Sequence, residues 1–294
     1  MQPDGVGPGS RRSGQEEMHD CEPNLPHYCG WRGLLIDKWV AWTLRHFCGA
    51  SALRGIPDAL VISMGEEEKF VGRGTETRTF LYFKVSVAAL REFVPDGWQI
   101  CPVGYGPAAG ANLLAVFVDQ VTSLDAEDKP LELMRYVLFE IPVRSAGTGS
   151  TAWVLFTGLS TGGPGIYGAN LQATAQVERK IRHGPSGSAV EEAWDLEAGG
   201  GESVSLQLRF LRGPVSVEQA ESRVYSRVWP GFSRIYRVEQ AVDVVHPTGE
   251  PGRLTQVAFK AKSAKLAPLF DGREQLTAII SVPSYARRIF LPGS

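Results

Sequence analysis

From residue 58 onward the chain is a succession of short runs rich in Val, Ile, Leu, Phe and Tyr, most of them separated by Gly- or Pro-containing turns. Runs of this kind read as strands over 59–64, 78–85, 98–103, 112–121, 134–143, 153–159, 173–182, 203–211, 233–245, 254–264 and 275–290. So many strands with so little helix restrict the chain to a mainly β (α+β) fold. The expected form is a large, closed or nearly closed antiparallel barrel with a few peripheral helices. Two short helices are expected: 87–93, stopped before Pro95, and 217–228, stopped before Pro230. No fixed-period repeat is present.

The chain has 294 residues, 43% of them apolar, enough for one large core or two small ones. The preferred division is a disordered tail over 1–22, a helical extension over 23–57, and a single barrel domain over 58–294. Residues 31–50 read as an amphipathic helix. They carry Arg32, Asp37, Lys38, Arg45 and His46, too many charges for a membrane span. Such a helix more often packs on its own domain or on a second copy than on a membrane, which leaves a homo-oligomer open. The first twenty residues lack the apolar segment of a secretory signal, and the four cysteines read as reduced thiols, so a cytoplasmic location is expected.

Thirty Lys+Arg balance 32 Asp+Glu, which gives no basic footprint for nucleic acid. Cys21 and Cys29, with His19, His27 and His46 nearby, lack the paired spacing of a zinc site, so no metal and no cofactor is expected. There is no P-loop, dinucleotide fingerprint or nucleophile elbow. His183 and His246 are scattered candidates for a general base at a pocket mouth.

Three segments, in order and within residues 78–183, carry a family resemblance. The first runs from Phe83-Lys84-Val85 through Ala89-Leu90-Arg91-Glu92-Phe93-Val94-Pro95-Asp96-Gly97. The second is Glu140-Ile141-Pro142-Val143-Arg144, and the third is Gly162-Gly163-Pro164-Gly165-Ile166-Tyr167-Gly168-Ala169-Asn170-Leu171-Gln172. Together they resemble the acetoacetate decarboxylase superfamily, in which a similar Gly-rich turn runs into Pro-Lys-Lys and the first lysine forms a Schiff base with a keto acid. Asn170, Leu171 and Gln172 occupy those three places here, and Leu171 stands where the lysine would be. Leucine has no nucleophile, and the neighbouring glutamine cannot titrate. Lys180 lies nine residues further on, about 30 Å along an extended strand. The resemblance therefore implies the family's pocket without its imine chemistry.

The family's acids also fall on other residue types, one in the run Leu113-Leu114-Ala115-Val116 and one on Tyr136. Strand alternation supplies a partial replacement, because Tyr136, Leu138 and Glu140 share a face while Val137, Phe139 and Ile141 share the other. Glu140 is then either a lone carboxylate of the lumen or a surface strand residue. Lys84 stands where the family often has arginine, with Tyr82 and Arg78 on its face. A family arginine near the pocket falls about two positions before Arg78, so Arg78 is its candidate stand-in. Leu171, Ala173, Ala175 and Val177 would line the lumen if the lysine face does. Tyr167 sits where a family aromatic caps the pocket.

Two functions follow from these residues. In the first, the chain is an enzyme that acts on a small, keto-acid-like or polyketide-like, mainly apolar molecule. It would promote decarboxylation, dehydration or cyclisation through Glu140, Tyr136, Lys84 and Arg78, with Tyr82, Tyr167, Asn170, Leu171 and Gln172 around the substrate. In the second it is a non-catalytic barrel that binds a small molecule or a partner protein. A binder has no need of a lumen carboxylate, so the place of Glu140 discriminates between them.

Overall fold

The computed structural model describes residues 67–185, 187–250 and 252–293. The expected tail, the helical extension and the strand at 59–64 lie outside the described residues. The fold is mainly β, with twelve strands: β1 (Lys69–Lys84), β2 (Trp98–Ile100), β3 (Leu113–Asp125), β4 (Arg135–Ser145), β5 (Thr151–Ser160), β6 (Asn170–Gly184), β7 (Gly187–Ala198), β8 (Ser203–Leu211), β9 (Ser216–Ser226), β10 (Ser233–His246), β11 (Leu254–Lys262) and β12 (Gln275–Leu291). Among the described residues the α-helical content is one short helix, α1 (Val87–Leu90). It is capped by the Ser86 side chain and continued by a 3₁₀ turn before Pro95.

Pairings run in a closed circuit: β1 with β3, β3 with β4, β4 with β5, β5 with β9, β9 with β10, β10 with β12, and β12 with β1. The circuit is mixed where an antiparallel one was expected, because β5 runs parallel to β9 and also to the start of β6. That second contact covers three residues, Gly158–Ser160 against Asn170–Gln172. β6 then leaves the circuit and leads an antiparallel layer, β6-β7-β8-β11.

Two apolar layers result. One fills the space between the circuit and the second sheet and contains Leu81, Phe83, Phe117, Phe139, Trp194, Leu206 and Phe210. The other lines the circuit's interior and contains Tyr82, Leu114, Val116, Val118, Tyr136, Tyr236, Ile280 and Tyr285. β3 shows why its sequence is apolar without a break: Leu113, Ala115 and Phe117 face the interlayer core, while Leu114, Val116 and Val118 face the interior. Each fully buried side chain of this kind stabilises the fold by about 1.5–3 kcal/mol. A polar tie crosses the interlayer core. Thr79 Oγ1 donates to Glu192 at 2.7 Å, and Arg179 donates to both Glu192 (2.9 Å) and Thr77 Oγ1 (2.8 Å).

Two sequence expectations are corrected. Residues 217–228, expected as a helix, lie largely in β9, where pairing with β10 and β5 overrides local helix preference. β7 coincides with none of the expected strands. Its inward residues Val190, Trp194 and Leu196 are separated by acidic residues, so it lacks a continuous apolar run.

Gly158 sits where β4, β5 and β6 meet. A Cβ there would stand 2.5 Å from the Val137 carbonyl oxygen and 2.4 Å from Asn170 Oδ1. Gly158→Ala should therefore lower stability by about 1–3 kcal/mol, read by denaturant unfolding. An unchanged midpoint would show that β4 and β6 can separate at this point.

Candidate active site

The interior of the circuit is not filled. It holds a cavity of about 530 Å³, within the range of small-molecule sites. Alternate residues of the surrounding strands form its wall, as strand periodicity requires. β1 supplies Arg78, Phe80 and Tyr82, β4 supplies Tyr136, Leu138 and Glu140, β10 supplies Arg234, Tyr236, Val238 and Gln240, and β12 supplies Tyr285 and Arg287.

An ion cluster forms one part of the wall. The Glu76 carboxylate is fully buried and accepts from Arg78 through Nη2 (2.6 Å) and Nε (2.7 Å), and from Arg287 at 2.7 Å. The Tyr136 hydroxyl donates to it at 3.2 Å and Gln120 at 3.4 Å. The Arg78 guanidinium lies 3.7 Å from the centre of the Tyr285 ring. Register shifts in β1 at 75–78 mark a bulge beside these residues, a feature that re-aims side chains next to sites. Burial acts to raise the Glu76 pKa, but Arg287 and Arg78 together outweigh it and hold the carboxyl below its ordinary value. Two guanidinium groups share one carboxylate, so one positive charge is left for a guest.

Glu140 is buried in the same wall, 9% exposed. It has no hydrogen-bond or ion-pair partner among the described residues. Burial pushes its pKa up from 4.5 to about 7, and the attraction of Arg78 offsets only part of that rise. Such a carboxyl exchanges protons readily near neutral pH. Also in the wall, the Tyr167 and Tyr236 hydroxyls are 2.8 Å apart, and Ser226 Oγ fixes the Tyr167 backbone by donating to its carbonyl at 2.7 Å.

Of the residues named from sequence, Arg78, Tyr82, Tyr136, Glu140, Tyr167 and Asn170 line this cavity. Three do not. Lys84 is exposed at the last position of β1, where the strand has passed the cavity. Leu171 is 39% exposed. Gln172 is exposed and spends its amide on the Thr161 carbonyl at 2.8 Å. Nor do Ala173, Ala175 and Val177 line it; they belong to the interlayer core, because β6 departs from the circuit after three paired residues. His183 is exposed against Ser188 Oγ (2.8 Å), and neither it nor His246 lines the cavity.

Sequence reasoning missed Glu76, Arg234, Tyr236, Tyr285 and Arg287. Glu76 was detectable, since it lies two residues before Arg78 on the same strand face and at the position to which the resemblance assigns an arginine. The others are brought in by β10 and β12, which carry no motif. Among the described residues no group of three His, Cys, Asp or Glu is placed to hold a metal. No helix there is long and apolar enough to cross a membrane.

Asn170, one residue from the matched lysine position, lines the cavity, and its buried Oδ1 has no hydrogen-bond partner. A lysine introduced there should form an imine with a keto acid, trapped by borohydride as a mass increment. Leu171→Lys should give none. Trapping at 171 and not at 170 would contradict the register of β5 and β6.

Fold and site together define a mainly β protein with a buried, arginine-bearing cavity and one proton-exchanging carboxyl. No protein-family model matches the chain, and no curated protein matches it in sequence. Among solved structures it is similar to an enduracididine biosynthesis enzyme, MppR, solved with the condensation product of pyruvate and imidazole 4-carboxaldehyde. That likeness has 11% identity and a TM-score of 0.47, and covers 82% of this chain and 96% of that one. It is also similar to an acetoacetate decarboxylase-like enzyme from Sphingomonas wittichii RW1, with 13% identity, a TM-score of 0.46 and coverage of 82% and 100%. A third likeness is to acetoacetate decarboxylase from Legionella pneumophila subsp. pneumophila str. Philadelphia 1, with 11% identity, a TM-score of 0.40 and coverage of 84% and 96%. These neighbours include the family that the three sequence segments resemble.

Proposed function

We propose that the chain is an acetoacetate decarboxylase-like enzyme that works without a Schiff-base lysine, by proton transfer next to a carbonyl. Its substrate is keto-acid-like or polyketide-like and mainly apolar, in keeping with secondary metabolism. The reading rests on one observation: a buried carboxyl, Glu140, faces a cavity whose wall also carries Arg78 and Arg287 with charge to spare.

In this reading Arg78 and Arg287 face the substrate carbonyl oxygen and stabilise the negative charge that develops there as an enolate forms. Tyr136, whose proton goes to Glu76, helps to hold that cluster in place. Glu140 handles the proton on carbon. In a dehydration or cyclisation, its carboxylate takes the α-proton and the electron pair passes to the carbonyl oxygen. It then returns through the carbon skeleton as hydroxide leaves or a new bond closes. In a decarboxylation the C–C bond breaks to carbon dioxide, the pair again rests on oxygen, and protonated Glu140 delivers a proton to carbon. No amine takes part.

The binder reading is favoured by Leu171, which removes the nucleophile, and by the loss of the family's two acids at their matched places. One experiment separates the two. The protein is incubated in deuterated buffer at pH 7 with aryl ketones, and deuterium at the α-carbon is followed by proton NMR. Enzyme-dependent exchange that disappears in Glu140→Gln supports the enzyme; no exchange with any ketone that binds supports the binder.

A further inference from the structure

We infer that the cavity has a second anion subsite at Arg234, which takes a carboxylate that the substrate keeps through the reaction. The inference rests on the enzyme reading above and narrows its substrate to an acid whose reacting carbonyl lies several bonds from its carboxylate.

Arg234 lines the cavity from β10. Its Nε is buried without a hydrogen-bond partner, and among the described residues its guanidinium has no ion pair. The other two cavity arginines both bind Glu76, although Arg287 also leaves its own Nε unpartnered. A guanidinium is a fork of five N–H donors shaped for a carboxylate, and buried donors normally have an acceptor. At Arg234 the described residues supply none.

The adjoining groups complete the subsite. Tyr236 lies two residues along the same strand face, and its hydroxyl is 2.8 Å from that of Tyr167. Each phenol has one proton. One of the two is used between them, so the other is left for a guest. A carboxylate at Arg234 would receive the guanidinium fork and, at its edge, this phenol proton.

The separation from the Glu76 cluster fixes the substrate's form. Arg287 pairs in register with Val238, four residues from Arg234 along β10, a backbone distance of about 13 Å, and its guanidinium lies 5.9 Å from the centre of the Tyr236 ring between them. Val238 and Ile289 form apolar wall near this stretch. A guest with a carbonyl at Arg78 and Arg287, an apolar middle and a carboxylate at Arg234 engages both sites. The carboxylate held at Arg234 takes no part in Glu140's proton chemistry and leaves with the product.

The test is calorimetric titration with ω-benzoyl alkanoic acids of two to six methylenes, each beside its methyl ester. One chain length should bind best, and its ester should bind about tenfold or more weakly. Arg234→Gln should lose a similar factor for the acid and bind the ester as the parent protein does, while Arg234→Lys should recover part of the loss. The inference is overturned if Arg234→Gln binds the acid undiminished, or if no acid in the series binds more tightly than its ester. α-Deuterium exchange into the esters is read separately. Exchange without acid preference would sink the Arg234 subsite and leave the Glu140 reading standing; acid preference without exchange would do the reverse.

Discussion

Replacing Glu76 by glutamine should lower the unfolding free energy by about 3–5 kcal/mol, because it leaves two buried guanidinium groups without a counter-charge. The side chain is fully buried, and both arginines are at most about one-tenth exposed. Glutamine has nearly the same shape, so the loss reads charge and not packing. The pH dependence carries the same signature. Glu76 titrates below its ordinary 4.5 in the folded state, so its contribution is complete above that pH and fades as the pH falls through the lowered folded value. The parent protein should lose this share in acid; the variant should not. Chemical denaturation between pH 3 and 8 checks both statements. A difference that stays the same at pH 3 and pH 7 would show that the cluster is not held by the carboxylate's charge. Removing one cation as well, in Glu76→Gln with Arg287→Met, should restore part of the stability.

Glu140→Gln should act in the opposite sense on stability while removing activity. Turnover, or α-proton exchange, should fall by about 10²–10⁴-fold, the range of a single general acid–base group. The folded pKa of Glu140 is raised from 4.5 to about 7. Protons are therefore bound more tightly in the folded state, and stability is lost as the pH rises from about 4.5 through about 7. At pH 8 the buried carboxylate costs up to about 3 kcal/mol, taking 1.36 kcal/mol per unit. The glutamine variant should therefore melt several degrees higher than the parent at pH 8 and show no gain at pH 4. A melting temperature that is unaffected by pH in both proteins would place the carboxyl in water. Exchange that survives the substitution would end its acid–base role.

The contrast between the two acids shows how partners decide function. Both are buried in one interior. Glu76 is satisfied by two arginines and a tyrosine and is fixed as an anion. Glu140 has the desolvation without the partners, so its proton is mobile at neutral pH.

Much of the wall was legible from local alternation. The period of two in β4 puts Tyr136, Leu138 and Glu140 on one face and Val137, Phe139 and Ile141 on the other, and the structure has that division. The same rule applied to β1 gives Arg78, Phe80 and Tyr82, but says nothing about where the strand outruns the cavity, which is why Lys84 lies outside it. For β6 the alternation was right and the destination wrong. Its apolar face belongs to the layer between the sheets, a fact set by a three-residue parallel contact that leaves no trace in sequence.

By itself the sequence determined the mainly β class, the short helix before Pro95, and the strand face on which Glu140 lies. These follow from side-chain chemistry and the two-residue repeat of an extended backbone, which act over a few residues. Only the tertiary structure decided that β5 pairs with β4, β6 and β9, that β12 closes on β1, and that Arg287 therefore meets a carboxylate at residue 76. Charges so far apart in the chain interact strongly only when strand pairing removes the water between them. That closure made a cavity of the strand faces the sequence had already marked.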